Sequence, residues 1–366
     1  MEDTTGAIAG FAAETVADAT IAVDQINAAG GVNGHPLKLF VANSNPEPVA
    51  AAQSLILQDN VSMIFGISYC GEGLAIQSLA SSHKIIVINT SCGVNTYQDN
   101  VTTDYTDYKY FFRLAQLNSQ YAASIFDFFG NTTKPASIYF VAEDLSFTHY
   151  TFGLINQTAQ QMGIKVLGAT FVPLTETDFS TVEASVVSAH PSVLIDGQTG
   201  IGAATFYNQF KADPNSKGIQ FLYFSDGALD DPAVQASVIK SSPGSLDGVV
   251  IQTYPGTSSV PVNNVGSALA KAYTNATKTD YYAFPSNTYT AVEIYAQAVA
   301  KAGSINPDLV IPILEKTNYQ GPTGLVTFDA KHNWIFPGFW YVQIQNNTRV
   351  VIFPQQYANG HYIPSS

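Results

Sequence analysis

Three times in its first ninety residues the chain passes from helical apolar spacing to a short apolar run, and this repeat constrains its fold more than any other feature. Ala12, Val16, Ala19, Val23 and Ile26 recur at helical spacing, which predicts one buried stripe on a helix that stops at Gly30-Gly31. Glycine adopts left-handed conformations at little cost. Gly30 therefore closes the helix, and Asn33-Gly34 supplies a second turn into the strand-like run LKLFVA. PVAAAQSLILQD followed by VSMIFGI, and EGLAIQSLASSH followed by KIIVINT, repeat the pattern. Helices alternating with short buried strands predict an α/β fold with parallel sheets.

After YFFRLAQLNSQYAASIFDFFG, an extended run passing into a helix, the alternation starts afresh. ASIYFVAED, IKVLGATFVP, PSVLIDG and IQFLYFSDG read as strands with helices between them, a second doubly wound unit. LDGVVIQTYPG adds a strand. The helices NNVGSALAKAYTNA, SNTYTAVEIYAQAVAKAG and NPDLVIPILEK follow, then the strand-like GLVTFDA, FWYVQIQ and RVVIFP. At 366 residues, 46% of them hydrophobic, the chain exceeds what one core organises, so two lobes are expected. No Pro, Gly or Ser linker separates them.

Charged residues make up only 12% of the chain, and the net charge is −13, which argues against a nucleic-acid partner. No apolar run approaches the roughly 20 residues that span a bilayer, and no basic start followed by an apolar block marks a signal peptide, so a soluble chain is expected. Sequons occur at Asn60, Asn89, Asn100, Asn131, Asn156, Asn275 and Asn346; in a chain rich in Asn, Ser and Thr they carry little weight. Low charge with many neutral polar groups suits an extracellular protein, including one in an acidic medium, or reflects compositional drift.

Catalytic signatures are thin. GxSxG, GxxxxGK[ST] and HExxH are absent, and the six histidines lack metal-ligand spacing, so neither an enzyme nor a bound metal or cofactor is expected. GEGLAI lacks the full glycine pattern of a phosphate loop. What remains is a pair of open sheets, and such sheets bind ligands just outside the carboxyl ends of their strands.

The stretch AVDQINAAGGVNGHPLKLFVANSNPEP resembles the signature of type I periplasmic solute-binding proteins, in the branch that contains the leucine/isoleucine/valine-binding proteins of ABC importers. QDNVSMIFG is similar to the family's third strand and KIIVINTS to its fourth. KPASIYFVAEDLSF resembles the entry into the second lobe, GIQFLYFSDG the late acidic loop, and YTAVEIYAQAVAKAG the returning helix. The resemblance implies two lobes, residues 1–117 with 253–327 and residues 118–252 with 328–366, crossing near residues 116–119, 252–254 and 327–329. It implies hinge closure on a small solute, an amino acid with the branched-chain ones among the candidates, for delivery to a membrane permease. The compartment would be periplasmic, extracellular or the cell surface. The same lobes also serve as ectodomains of sensory receptors. A third alternative, a hydrolase using Cys70, lacks a histidine evidently placed to activate the thiol.

Carried over residue by residue, the resemblance puts the ligand's carboxylate at Tyr69, Cys70 and Gly71 and at Ser91, Cys92 and Gly93, where backbone amides at helix starts suit an anion. Cys70 stands where relatives commonly have serine, so one hydroxyl donor is lost. The ligand ammonium falls to Asp226, which also reads as a helix N-cap. Phe11 and Phe147 correspond to pocket walls, and Gln198, Thr199 and Tyr254 to positions near the crevice; each also reads as ordinary packing. The family order makes Cys70 and Cys92 neighbours and implies a disulfide closing 22 residues. The opening MEDTTGAIAGF looks like the loop after the family's first strand, so that strand is missing from this sequence.

Overall fold

The computed structural model describes the chain except for residues 7, 95, 201, 225–226, 242–245 and 366. Its first stretch runs α1 (Ala9–Ala28), α2 (Pro48–Leu57), β1 (Met63–Gly66), α3 (Cys70–Ser82), β2 (Ile86–Asn89), α4 (Thr96–Thr103), α5 (Tyr105–Tyr108) and β3 (Phe111–Arg113). A second stretch follows with α6 (Asn118–Phe128), β4 (Ser137–Glu143), α7 (Ser146–Gln161), β5 (Lys165–Val172), α8 (Ser180–Ala189), β6 (Val193–Asp196), α9 (Gly202–Ala212), β7 (Gln220–Phe224), α10 (Pro232–Ser241) and β8 (Val250–Thr253). Then come α11 (Asn264–Thr277), α12 (Ser286–Ala302), α13 (Pro307–Leu314), β9 (Tyr319–Gly321), β10 (Gly324–Val326), β11 (Trp340–Gln345) and β12 (Thr348–Phe353). The chain divides into two compact units. Unit 1 comprises Met1–Leu117, Pro261–Lys278 and Ala283–Pro337; unit 2 comprises Asn118–Val260, Thr279–Tyr282 and Gly338–Ser366.

Unit 1 holds a parallel three-stranded sheet in the order β1-β2-β3 and a small antiparallel hairpin, β10-β9. The double glycine acts as the sequence predicts: Gly30 and Gly31 have φ of 104° and 75°, and Asn33-Gly34 follow with φ of 52° and 83°. α1 packs on α12, and its buried face is Ala12, Thr15, Asp18, Ala19, Ala22 and Val23. That face is turned from the expected stripe: Val16 and Ile26 are only half-buried, whereas Thr15 and Asp18 are buried. On that face the Thr15 carbonyl accepts from the Thr288 hydroxyl of α12 at 2.8 Å.

One expected strand is corrected. LKLFVA has strand composition, yet residues 37–42 form no strand, because no continuous neighbour runs beside them. Pairing begins only at their end, where Met1 and Glu2 lie between residues 42–44 and the end of β1.

Unit 2 carries a seven-stranded sheet, β12-β11-β8-β7-β6-β4-β5. From β5 to β8 it is parallel; β11 joins β8 antiparallel and β12 closes the edge. β6, β7 and β8 are buried along their whole length, the continuous apolar pattern of strands covered on both faces. α6 is fixed on the late strands by Phe128, whose ring stacks on Tyr341 at 4.2 Å. Phe128 is fully buried, so truncating it to alanine would cost about 3–5 kcal/mol. Among the described residues no helix is long and apolar enough to cross a membrane.

Candidate functional site

In unit 1 the ends of β1 and β2 present two loops side by side. Gly66 ends β1 with φ of 103°, and the buried Ile67 follows at φ of 76°, a conformation that costs a β-branched residue about 1–3 kcal/mol and recurs at ligand sites. α3 begins at Cys70, so the amides of Cys70 and Gly71 fall in a first turn, where no intrahelical acceptor exists. The second loop is stapled by Asn89. Its Oδ1 accepts from the Ser91 and Cys92 amides at 3.1 and 2.9 Å, and its Nδ2 donates to the Cys92 carbonyl at 2.7 Å. The two loops are then joined covalently by a Cys70–Cys92 disulfide, with Cα atoms 5.1 Å apart. Ser91 Oγ is buried and has no hydrogen-bond partner. This places Tyr69, Cys70 and Gly71 next to Ser91, Cys92 and Gly93, with a donor left over.

Acidic groups crowd the same corner, and the sequence reading missed them. Tyr69 donates its hydroxyl to Asp3 at 3.3 Å and its amide to Glu72 Oε2 at 3.3 Å, while Ser68 donates to Glu2 Oε2 at 2.6 Å. All three carboxyls are buried. Burial pushes Glu2 and Glu72 above the usual carboxylate range, partly offset for both by the Met1 ammonium and by hydrogen bonds. An anion at the start of α3 therefore meets Glu72 at closest quarters, and Glu72 repels it least when protonated. Phe11 lies on α1 and stacks on Phe284 with ring centroids 4.8 Å apart.

In unit 2, Phe147 occupies the second position of α7 and meets Tyr121 edge-on at 5.7 Å. Asn118 anchors that turn by donating to the Phe147 carbonyl at 3.0 Å. Gln198 and Thr199 follow β6, and their loop is organised by two buried carboxyls. Glu143 accepts from the Thr199 amide at 2.7 Å and the Gly200 amide at 2.8 Å; Asp196 Oδ1 accepts from the Gln198 amide at 3.2 Å and its side chain at 3.1 Å. Tyr223 donates to the Gln198 carbonyl at 2.5 Å. Burial raises both carboxyls, Asp196 well above its ordinary value. The loop after β7 passes so close that a Cβ on Gly227 would lie 2.5 Å from the Thr199 carbonyl oxygen, so only glycine fits. Asp226 lies outside the described residues. Gln198 is buried, Thr199 half-buried, and Tyr254 is fully buried beside Phe339 at 5.6 Å, the packing alternative for that residue.

The structure thus brings together the two loops of unit 1 and, separately, Phe147 with Tyr121 and Gln198 with Thr199. Glu72, Asp3, Phe284, Glu143 and Asp196 went unmarked in the sequence. A carboxyl two residues past the start of a glycine-rich helix was the available signal for Glu72. Of the sequons, Asn89 is fully buried and committed to its loop. His332 is buried, bonded to the Phe111 carbonyl and Glu315, each at 3.1 Å.

A family model described as Periplasmic binding protein matches residues 1–349. The chain belongs to the periplasmic binding protein family. A leucine-, isoleucine-, valine-, threonine- and alanine-binding protein of Pseudomonas aeruginosa is 22% identical over 329 residues, covering 89% of this chain and 84% of that one. A branched-chain amino acid transporter substrate binding protein of Streptococcus pneumoniae, solved with isoleucine, superposes with a TM-score of 0.82 at 17% identity, covering 96% of this chain and 98% of that one. An ABC transporter solute-binding protein of R. palustris, solved with benzoate, also gives 0.82, at 16% identity, covering 100% and 95%. This periplasmic binding protein therefore has the type I fold and belongs with solute-binding proteins, and its structural neighbours do not share a single ligand.

Proposed function

We propose that the protein binds an amino acid with an apolar side chain, outside the cytoplasm, and presents it to the membrane permease of an ABC importer. The observation that carries this reading is the disulfide-tied pair of loops in unit 1, which sets first-turn amides beside the unpartnered Ser91 hydroxyl. Those donors suit a carboxylate. Isoleucine and benzoate, found in two structural neighbours, share a carboxylate and an apolar body and differ in the ammonium. Asp226 is the residue we assign to that ammonium, Phe11 and Phe147 those we assign to the apolar part, and Thr199 and Gln198 are assigned as further ligand contacts. Disulfides persist in oxidising compartments, which supports an extracytoplasmic location.

Calorimetric titration with leucine, isoleucine, valine and benzoate tests the proposal. The wild type should bind an amino acid, and Asp226→Asn should weaken it by on the order of 2 kcal/mol or more while leaving any benzoate binding unchanged. If Asp226 only caps a helix, asparagine serves as well and neither affinity nor thermal midpoint moves. Binding of benzoate without any amino acid would overturn the amino-acid assignment.

A further inference from the structure

Arg113, the last residue of β3, is fully buried, and a guanidinium stays charged in a protein interior. Its backbone is locked on both edges. It pairs in register with Asn89 at the end of β2; on the other side its amide donates to the His332 carbonyl at 2.9 Å and its carbonyl accepts from the Trp334 amide at 2.9 Å. The side chain reaches the second ligand loop. One terminal nitrogen donates to the Val94 carbonyl at 2.5 Å and the other to Asn333 Oδ1 at 2.5 Å. Asn333 is held in turn by Asp329, donating its amide to Oδ1 at 2.9 Å and Nδ2 to Oδ2 at 3.2 Å.

The Ser91–Val94 loop thus hangs from two neighbouring strand ends. Asn89 takes the Ser91 and Cys92 amides on its Oδ1, and its register partner Arg113 takes the Val94 carbonyl. The peptide of Gly93 lies between these pinned points, where glycine by itself would hold no fixed direction. Charge adds a second effect. Asp3 and Glu72 bond Tyr69 and Glu2 bonds Ser68, so carboxyls crowd the first loop and oppose an anion there. Arg113 places the opposite sign behind the second loop, in an interior where water screens it least.

We propose that Arg113 is the positioning residue that makes the Ser91–Val94 loop a carboxylate site: it fixes the loop through Val94, and its buried charge favours an anion over a neutral group of the same shape. This rests on the carboxylate reading given above. The fork geometry matters as well as the charge, because two acceptors on different segments are held by one planar group.

Two substitutions test this. Arg113→Met keeps an unbranched stem and removes both fork and charge; Arg113→Lys keeps the charge and loses the fork. Calorimetric titration with isoleucine, benzoate and their carboxamides should show Arg113→Met weakening whichever carboxylate the wild type binds by at least about tenfold, with the carboxamide changed by less than about twofold. Arg113→Lys should lose only about threefold, and it carries the comparison if Arg113→Met does not fold. Without ligand, hydrogen exchange at the Ser91 and Cys92 amides should quicken at least about tenfold in Arg113→Met while the amides of β1 keep their rates. Carboxylate and carboxamide weakened alike, unchanged carboxylate affinity, or equal acceleration at β1 and the loop would make Arg113 a general packing residue and overturn the proposal. A wild type that binds no carboxylate would instead overturn the carboxylate reading, and the exchange comparison would still decide whether Arg113 holds the loop.

Discussion

Removing the Cys70–Cys92 bond isolates the contribution of a cross-link from that of the loops it joins. The bond closes a separation of 22 residues. In the chain-entropy model that removes about 11 cal/mol/K from the unfolded ensemble, or about 3.4 kcal/mol at 25 °C. The native cost of forming it is small here, because Asn89 already holds the Cys92 amide and carbonyl in place. Cys70→Ser with Cys92→Ser should therefore lower the stability of unit 1 by about 3 kcal/mol. Unit 1 holds one of the two tryptophans, the buried Trp334, and the other, Trp340, is in unit 2. With Trp340→Phe as background, Trp334 fluorescence follows unit 1 alone, which avoids treating a two-unit chain as one transition. At a urea m-value of about 2 kcal/mol per molar, the midpoint should fall by about 1.5–2 M. Reducing agent should shift the parent protein by the same amount and leave the double-serine protein untouched. Two free thiols in the native unreduced parent, or coincident midpoints for oxidised and double-serine proteins, would refute the reasoning.

Two further outcomes follow from buried carboxyls. Glu72 is raised chiefly by burial, and in its charged form it opposes an anion at the first turn of α3, facing Glu2, Asp3 and the Met1 ammonium. Affinity for a carboxylate ligand should therefore strengthen as pH falls through the raised Glu72 value; Glu72→Gln should raise affinity at pH 7 and flatten that profile in calorimetric titration. Asp18 is fully buried in α1, its two carboxyl oxygens have no partner, and burial raises it well above its ordinary value. Because the folded value is raised, its effect on stability is most favourable below about pH 3.9 and worsens as pH rises towards the folded value. Asp18→Asn should match the parent near pH 4 and exceed it by on the order of 1–2 kcal/mol at pH 7, measured by urea unfolding at both pH values.

The fold was legible because its strands are short, apolar and separated by helices whose periodicity survives in the sequence. β2, β6 and β7 each read directly as continuous apolar runs. Composition misled at residues 37–42, since pairing belongs to the neighbour and not to the strand's own residues. α4 was invisible for a different reason: TYQDNVTT offers no apolar stripe. The candidate site divides likewise. The loops carrying Tyr69 and Ser91 were found through the resemblance, which orders strands and hence loop positions. Asp3 meets Tyr69 across 66 positions of sequence, a proximity that no local pattern encodes, whereas Glu72 lies only three residues beyond Tyr69. Asp18 was hidden inside the apolar spacing of α1, where a buried carboxyl is the least expected residue.

The threading of both units by late segments has a consequence for how the chain matures. β11 bridges β8 to β12, so the sheet of unit 2 has neither its last two strands nor the ring under Phe128 until residues beyond 340 have been synthesised. α1 likewise waits for α12, which begins at Ser286, before its inner face is covered. Early strands must therefore persist with uncovered faces while most of the chain is made, and pairings of such long sequence separation form slowly. For the extracytoplasmic location proposed above, that delay would be useful. A nascent chain whose two cores close only at the end stays threadable until its last segment is released.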